Sequence, residues 1–118
     1  MRAILAASMY MAQTTICKEV DINSQADIFW FVGSVECEFV EVNWNGSDII
    51  IFYDERAESK PNKGRLINGL DKALFGNLII MGSGEELPAY FTAETIQKYI
   101  TGVMFETSLN GGTNEIAR

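Results

Sequence analysis

The chain has 118 residues, of which 47% are hydrophobic, and this length and composition predict one folded domain with its own core. Its net charge of -7 argues against binding to nucleic-acid polymers or anionic membranes, because both are bound mainly through Lys and Arg. There is no histidine, and Cys17 and Cys37 are the only cysteines, so histidine-dependent catalytic pairs and the usual zinc sites are excluded. We expect no metal and no cofactor, and two small buried thiols.

The amino-terminal residues favour a β-strand over a secretion signal. Arg2 precedes an apolar stretch, but Ser8, Tyr10 and Gln13 interrupt it. No apolar run approaches the roughly 20 residues that a membrane helix requires. We therefore expect a cytoplasmic protein.

The first half of the chain predicts two strands, a helix and a hairpin. The strands cover residues 2–10 and 14–20, and the helix runs from an N-cap at Ser24 to Gly33. Its predicted core face consists of Ala26, Phe29, Trp30 and Val32. From residue 35 the pattern has period two, with a bulge expected at residues 39–40. Asn-Gly at positions 45–46 then predicts a hairpin turn before an apolar strand at residues 49–53.

The second half is less regular. Residues 66–75 are ambiguous between helix and irregular chain, and a strand follows that ends at Gly82. Thr92 is predicted to cap a helix, and the apolar positions of that helix form one face: Ile96, Tyr99, Ile100, Val103 and Met104. The order of elements predicts an α+β domain over residues 1–110, with a mostly antiparallel sheet of about five strands and two helices. The C-terminal helix is expected to pack on the sheet, and residues 111–118 to form a flexible tail.

One connection stands out by its charge. Residues 56–72 contain five basic and two acidic residues, a balance of +3, whereas the rest of the chain carries -10. Such a loop is suited to a small phosphorylated ligand, because Arg offers a planar fork to phosphate oxygens and Lys a point charge. The predicted ligand-binding residues are Arg56, Lys60, Asn62, Lys63 and Arg65 on the connection, with Trp44 and Tyr53 on the adjoining hairpin to stack on a base. The alternatives are a solvated connection without a ligand, and a Trp44 that is partly buried in the hairpin.

Several short motifs carry a resemblance to a known family. They are Val32-Gly33-Ser34-Val35-Glu36, Asp54-Glu55-Arg56-Ala57, Pro61-Asn62 and the stretch L-F-G-N-L-I-I-M-G at 74–82. In this order they resemble a family of small proteins known as a domain of unknown function and common in phages and bacterial mobile elements. The motifs of that family are V-G-G-x-I-E, N-E-x-G, P-x-N and G-x-x-x-V-x-G. Ser34, Asp54 and Ala57 depart from them, so the resemblance is to a divergent member. It implies a phage setting and no particular chemistry.

Two functions of different classes are favoured by these features, and neither is enzymatic. An enzyme that uses Asp, Glu, Lys or Tyr is a third alternative, because such chemistry needs no histidine. The first is a phage-encoded anti-defence protein that sequesters a small, anionic, nucleotide-type immune signal, as a homo-oligomer with sites between subunits. The second is an acidic inhibitor that binds a host defence protein and covers its basic, nucleic-acid-binding face. Net charge motivates the second function, because complementary potentials accelerate association and set its register.

Overall fold

A computed structural model of the chain describes residues 1–7, 15–57, 63–105 and 115–116. Within these residues the elements are β1 (Arg2–Ala7), β2 (Ile16–Asp21), α1 (Gln25–Val32), β3 (Cys37–Trp44), β4 (Ser47–Asp54), β5 (Lys63–Ile67), β6 (Ala73–Phe75), β7 (Leu78–Gly82), α2 (Ala93–Gln97), β8 (Ile100–Phe105) and β9 (Glu115–Ile116). The predicted α+β fold, with a mostly antiparallel sheet and two helices, is confirmed.

Two sheets form the architecture. The larger has five antiparallel strands in the order β2-β1-β7-β4-β3, and the smaller has the order β6-β5-β8-β9, with only two residues in β9. One face of the larger sheet packs on the smaller sheet and on α2, and α1 covers part of the other face. The central strand β7 is buried along its whole length because both of its faces are covered, which is why it reads as an uninterrupted apolar run.

The β3–β4 hairpin forms at the predicted turn. Asn45 and Gly46 have φ values of 53° and 83°, and a turn with two left-handed residues matches the twist of the strands it joins. The pairing is continuous from Cys37–Asp54 to Trp44–Ser47. The bulge predicted at residues 39–40 was therefore wrong, and the hairpin is regular throughout.

The C-terminal helix is much shorter than predicted. Thr92 is the N-cap, as expected, and its hydroxyl accepts a hydrogen bond from the Thr95 amide. However, α2 ends at Gln97, and the chain enters β8, which pairs with β5. The helical face predicted through Met104 was wrong because the non-local pairing with β5 prevails over the local helical pattern.

The ambiguous segment is a second hairpin. Residues 66–75 comprise the end of β5, a turn at residues 68–69 and β6. Of the predicted tail, Glu115–Ile116 forms β9, and the remaining residues of 111–118 lie outside the described part, as do residues 8–14. None of the helices in the described ranges is long and apolar enough to cross a bilayer.

Candidate functional site

Helix α1 is apolar on both of its sides, and this determines the most exposed apolar surface of the described structure. Ile28 and Val32 are buried against the larger sheet, whereas Trp30 is 81% exposed. The core face predicted from Ala26, Phe29 and Trp30 was therefore wrong, and only Val32 of that set is buried. Residues 28–32 are five consecutive apolar residues, so a helix that covers one sheet face leaves some of them outside.

The outward side of α1 borders an open apolar hollow of about 630 Å³, which we call the α1 hollow. Its lining consists of Ala26, Phe29, Trp30, Gly33, Ser34 and Val35. Val35 is 77% exposed, and Phe39, which follows on β3, is 52% exposed. Exposed aromatic residues that adjoin a hollow are typical of a binding surface, whereas isolated exposed apolar residues are not.

The backbone around the α1 hollow is held in place by specific contacts. Gly33 ends α1 in the left-handed conformation with φ of 86°, and its amide donates to the Phe29 carbonyl at 2.8 Å. The Asn77 side-chain amide donates to the carbonyl of Phe31 at 3.1 Å. The Ser34 hydroxyl accepts a hydrogen bond from the Glu36 amide at 3.0 Å. The hollow is thus a preformed feature rather than a loop that must be ordered on binding.

Most of the charge around this surface is negative. Residues 19–55, which contain α1, β3 and β4, include nine acidic residues and no Lys or Arg. Glu36, Glu38 and Glu41 are all exposed. The basic residues that flank this segment are Lys18 and Arg56, and the Nε of Arg56 lies 2.7 Å from a carboxylate oxygen of Glu36. The α1 hollow therefore presents an apolar surface with an acidic surround.

Arg65, predicted on the basic connection, lies in the interior. Its side chain is 1% exposed, and its three nitrogens donate to the Gly76 carbonyl at 2.8 Å, the Ala7 carbonyl at 2.7 Å and the Thr15 hydroxyl. Burial lowers the pKa of Arg65 to about 10. Because these oxygens belong to residues at or next to the ends of β1, β2 and β6, the guanidinium connects the two sheets rather than facing a ligand in solution.

Trp44 is likewise internal. It is 2% exposed, its indole stacks on the Tyr99 ring at 4.5 Å, and its Nε1 donates to the Asn68 carbonyl at 2.8 Å. Of the two interpretations of Trp44, burial in the hairpin therefore agrees with the structure. The ring has no free face on which a base could stack.

Tyr53 occupies a small pocket at the base of the basic connection. The pocket has a volume of about 170 Å³ and is lined by Tyr53, Asp54, Glu55, Lys72, Ala73, Leu74 and Phe75. Lys72 Nζ lies 3.3 Å from the Tyr53 hydroxyl and 5.3 Å from the centre of its ring. Among the predicted ligand residues, Arg56 is exposed at the start of the connection. Lys60 and Asn62 lie outside the described residues, as does the side chain of Lys63.

No protein-family model, curated protein or solved structure matches this chain. The function of the chain is therefore inferred from its own geometry. Sequence reasoning missed Trp30, Val35 and Phe39 as surface residues. The signal that was available is the uninterrupted apolar run at 28–32, which no one-sided helix can bury completely.

Proposed function

We propose that this protein binds a partner protein through the α1 hollow, and that the partner presents an apolar side chain surrounded by Lys and Arg. The observation that carries the proposal is Trp30, 81% exposed on a preformed apolar hollow within a segment that holds nine acidic and no basic residues. Tryptophan is among the residues that most often dominate binding energy at interfaces. The acidic surround selects a basic partner and accelerates encounter with it.

The shape and charge of the surface favour a protein over other ligands. The α1 hollow is open, and its lining includes two aromatic rings but no charged side chain. An acidic surround repels nucleic-acid phosphates and anionic lipid headgroups. In the phage setting that the sequence resemblance implies, the partner is a host defence protein, and the acidic surface covers the basic face with which that protein binds nucleic acid.

Capture from a bacterial lysate with matched variants tests this proposal. The wild-type chain is compared with the double variant Trp30→Ser, Val35→Ser and with Tyr90→Ser, which removes an aromatic side chain that is 49% exposed elsewhere on the surface. A specific partner should be retained by the wild type and by Tyr90→Ser and lost from the double variant. With that partner purified, Trp30→Ser should weaken binding on the order of 30-fold, the effect of a typical hot-spot residue.

Salt provides the second criterion. Because the proposed attraction is between an acidic surround and a basic partner, the association rate should fall as ionic strength rises. Equal capture by the double variant and Tyr90→Ser, or an association rate that is independent of salt, would contradict the proposal.

A second candidate function is the sequestration of a small phosphorylated ligand of nucleotide type by the basic connection. The specific observation in its favour is the pocket in which Lys72 and the Tyr53 hydroxyl lie 3.3 Å apart at the base of that connection. At about 170 Å³ the pocket has room for one phosphate-sized group but not for a whole ligand of drug size, which requires roughly 300–1,000 Å³. The sequence-based hypothesis assigns the rest of the ligand to Arg56, Lys60, Asn62 and Lys63, and of these side chains the structure describes only that of Arg56. Arg65 and Trp44 take no part in this candidate because both are buried.

Thermal shift measurements against cyclic dinucleotides, cyclic oligonucleotides and cyclic ADP-ribose isomers test the second candidate. A tight ligand should raise the melting temperature by several degrees, and Lys72→Met should abolish the shift while Lys98→Met, an exposed lysine elsewhere, preserves it. Native mass spectrometry of the same sample would reveal a co-purified nucleotide and the predicted homo-oligomer. The absence of a shift with every compound would rule the candidate out.

A further inference from the structure

Strand β3 forms one edge of the five-stranded sheet, and within the described residues its only strand partner is β4. The two-residue turn makes Trp44 and Ser47 a pair whose residues exchange both backbone hydrogen bonds. Along an antiparallel ladder such hydrogen-bonded pairs alternate with pairs that exchange no hydrogen bond. The same alternation predicts a hydrogen-bonded pair one position beyond the strand, where the Glu55 amide donates to the Glu36 carbonyl at 2.9 Å. The residues between these bonded pairs direct their N–H and C=O groups away from β4: Cys37, Phe39, Glu41 and Asn43.

The outward groups of β3 form a template for one more strand. An edge of eight residues that no other described strand pairs is long by the standards of sheet edges, which proteins usually shorten or cover. Its exposed charged residues, Glu38 and Glu41, are both acidic. The opposite edge strand, β2, carries Lys18 beside Glu19 and Asp21 and so has charges of both signs. The β3 edge therefore favours a positively charged segment over a negatively charged one, whereas the β2 edge has no such preference.

The position of β3 connects its edge with the α1 hollow. Only residues 33–36 separate α1 from β3, and Val35 of this connection lines the hollow. The side chains of Cys37 and Phe39 lie on the face of the sheet that α1 covers. A segment laid along β3 would thus reach the hollow at one of its ends.

We propose that the partner binds by adding an extended, Lys- or Arg-bearing segment to the edge of β3, as a sixth strand of the sheet, and by placing an apolar side chain in the α1 hollow. This inference rests on the proposed function and specifies its mode of binding. Main-chain hydrogen bonds would supply affinity, and the hollow and the glutamates would supply specificity. Opposite charges across neighbouring strands stabilise a sheet. A second copy of this chain is the wrong occupant, because two β3 strands would bring glutamates together along one seam.

The probe for this proposal is a blocked nine-residue peptide of alternating Lys and Val, added to the isotopically labelled full chain. The amide exchange of individual residues is followed by NMR. Strand addition should slow exchange of the Phe39, Glu41 and Asn43 amides at least about ten-fold, because those amides acquire hydrogen-bond partners. A peptide with Glu in place of Lys should not bind. A Lys-Val peptide N-methylated at every residue, which removes the N–H donors of both of its edges, should lose most of its binding.

A matched pair of variants tests the same geometry from the protein side. Glu41→Pro removes an outward N–H but no bond of the β3–β4 ladder, a position at which proline is tolerated in edge strands. Glu41→Thr removes the same charge and keeps the N–H. We expect Glu41→Pro to weaken peptide binding at least ten-fold more than Glu41→Thr does. The amide spectrum shows whether Glu41→Pro remains folded, and the N-methylated peptide gives the same comparison without any variant.

Three outcomes would overturn strand addition. One is binding that leaves exchange of the three amides unchanged, and another is no binding of the Lys-Val peptide at millimolar concentration. The third is a dimer, formed without peptide, that protects the same amides. None of these affects the capture experiment with Trp30→Ser and Val35→Ser, so failure of the binding mode and failure of the proposed function are distinguishable.

Discussion

Trp30 lies on the surface and Arg65 lies in the interior, which is the reverse of what the sequence predicted for these two residues. Trp30 was expected in the core and is 81% exposed, whereas Arg65 was expected on a solvated connection and is 1% exposed. Residue type sets a preference, but the partners that the fold supplies decide the outcome. Carbonyl and hydroxyl oxygens from three strand ends surround the donors of Arg65. In α1, Ile28 and Val32 pack on the larger sheet, and Trp30 lies on the opposite side of the helix.

The largest effect is expected from Arg65, since its removal leaves buried acceptors without a donor. Arg65→Met should lower the free energy of unfolding by about 3–5 kcal/mol, as measured by urea denaturation, because unsatisfied buried polar groups cost about 1–3 kcal/mol each. Arg56→Met is the matched control. It removes an exposed ion pair with Glu36, and exposed pairs contribute about 0–1 kcal/mol.

An equal loss of unfolding free energy in Arg65→Met and Arg56→Met would contradict the distinction between an interior arginine and a surface one. If Arg65→Met does not fold, Arg65→Lys provides the test, since it keeps the charge and loses the fork of donors. Its cost should still exceed that of Arg56→Met.

The two tryptophans of the chain sharpen the same contrast. Trp44→Phe should cost about 1–3 kcal/mol, because it loses packing volume and the hydrogen bond to the Asn68 carbonyl. Trp30→Phe should change stability by less than about 0.5 kcal/mol, as exposed substitutions usually do. Fluorescence gives an independent check. The protein that retains only Trp44 should emit at shorter wavelength and resist acrylamide, and the protein that retains only Trp30 should be quenched readily.

How far the sequence predicts this fold depends on whether local signals decide each element. Ser24, Gly33 and the Asn45–Gly46 turn are local, and the bounds of α1 and the turn of the β3–β4 hairpin were confirmed. The extent of α2 depends on the pairing of β8 with β5, and the burial of Arg65 depends on strand ends that are distant in the sequence. No local pattern contains either of these interactions. The α1 hollow was missed for a third reason. Apolar residues on both sides of a short helix do not indicate which side will meet the sheet.

A smaller effect is expected from the acidic side of the comparison. Replacing Glu38 and Glu41 by Gln should raise stability at low salt by a few tenths of a kcal/mol, because it reduces the electrostatic self-repulsion of a chain whose net charge is -7. The wild type should gain stability when salt is added, and the double variant should gain less. Denaturation curves at low and high ionic strength measure this difference. An identical response of the two proteins to salt would show that repulsion involving Glu38 and Glu41 does not lower the stability.

The smallest effect concerns Cys17, which lies at the boundary of the buried Arg65 cluster. Burial raises the pKa of the Cys17 thiol above its ordinary value of 9.0, and the positive charge of Arg65 opposes part of this rise. A group whose pKa is raised by folding contributes stability below its ordinary pKa and loses it as the pH rises through the folded value. The free energy of unfolding should therefore decrease more steeply above pH 9 for the wild type than for Cys17→Ala, with the other titrating groups common to both proteins. Parallel pH profiles would mean that the thiol is as hydrated in the folded chain as in the unfolded one. Cys17 would then belong to the surface rather than to the interior.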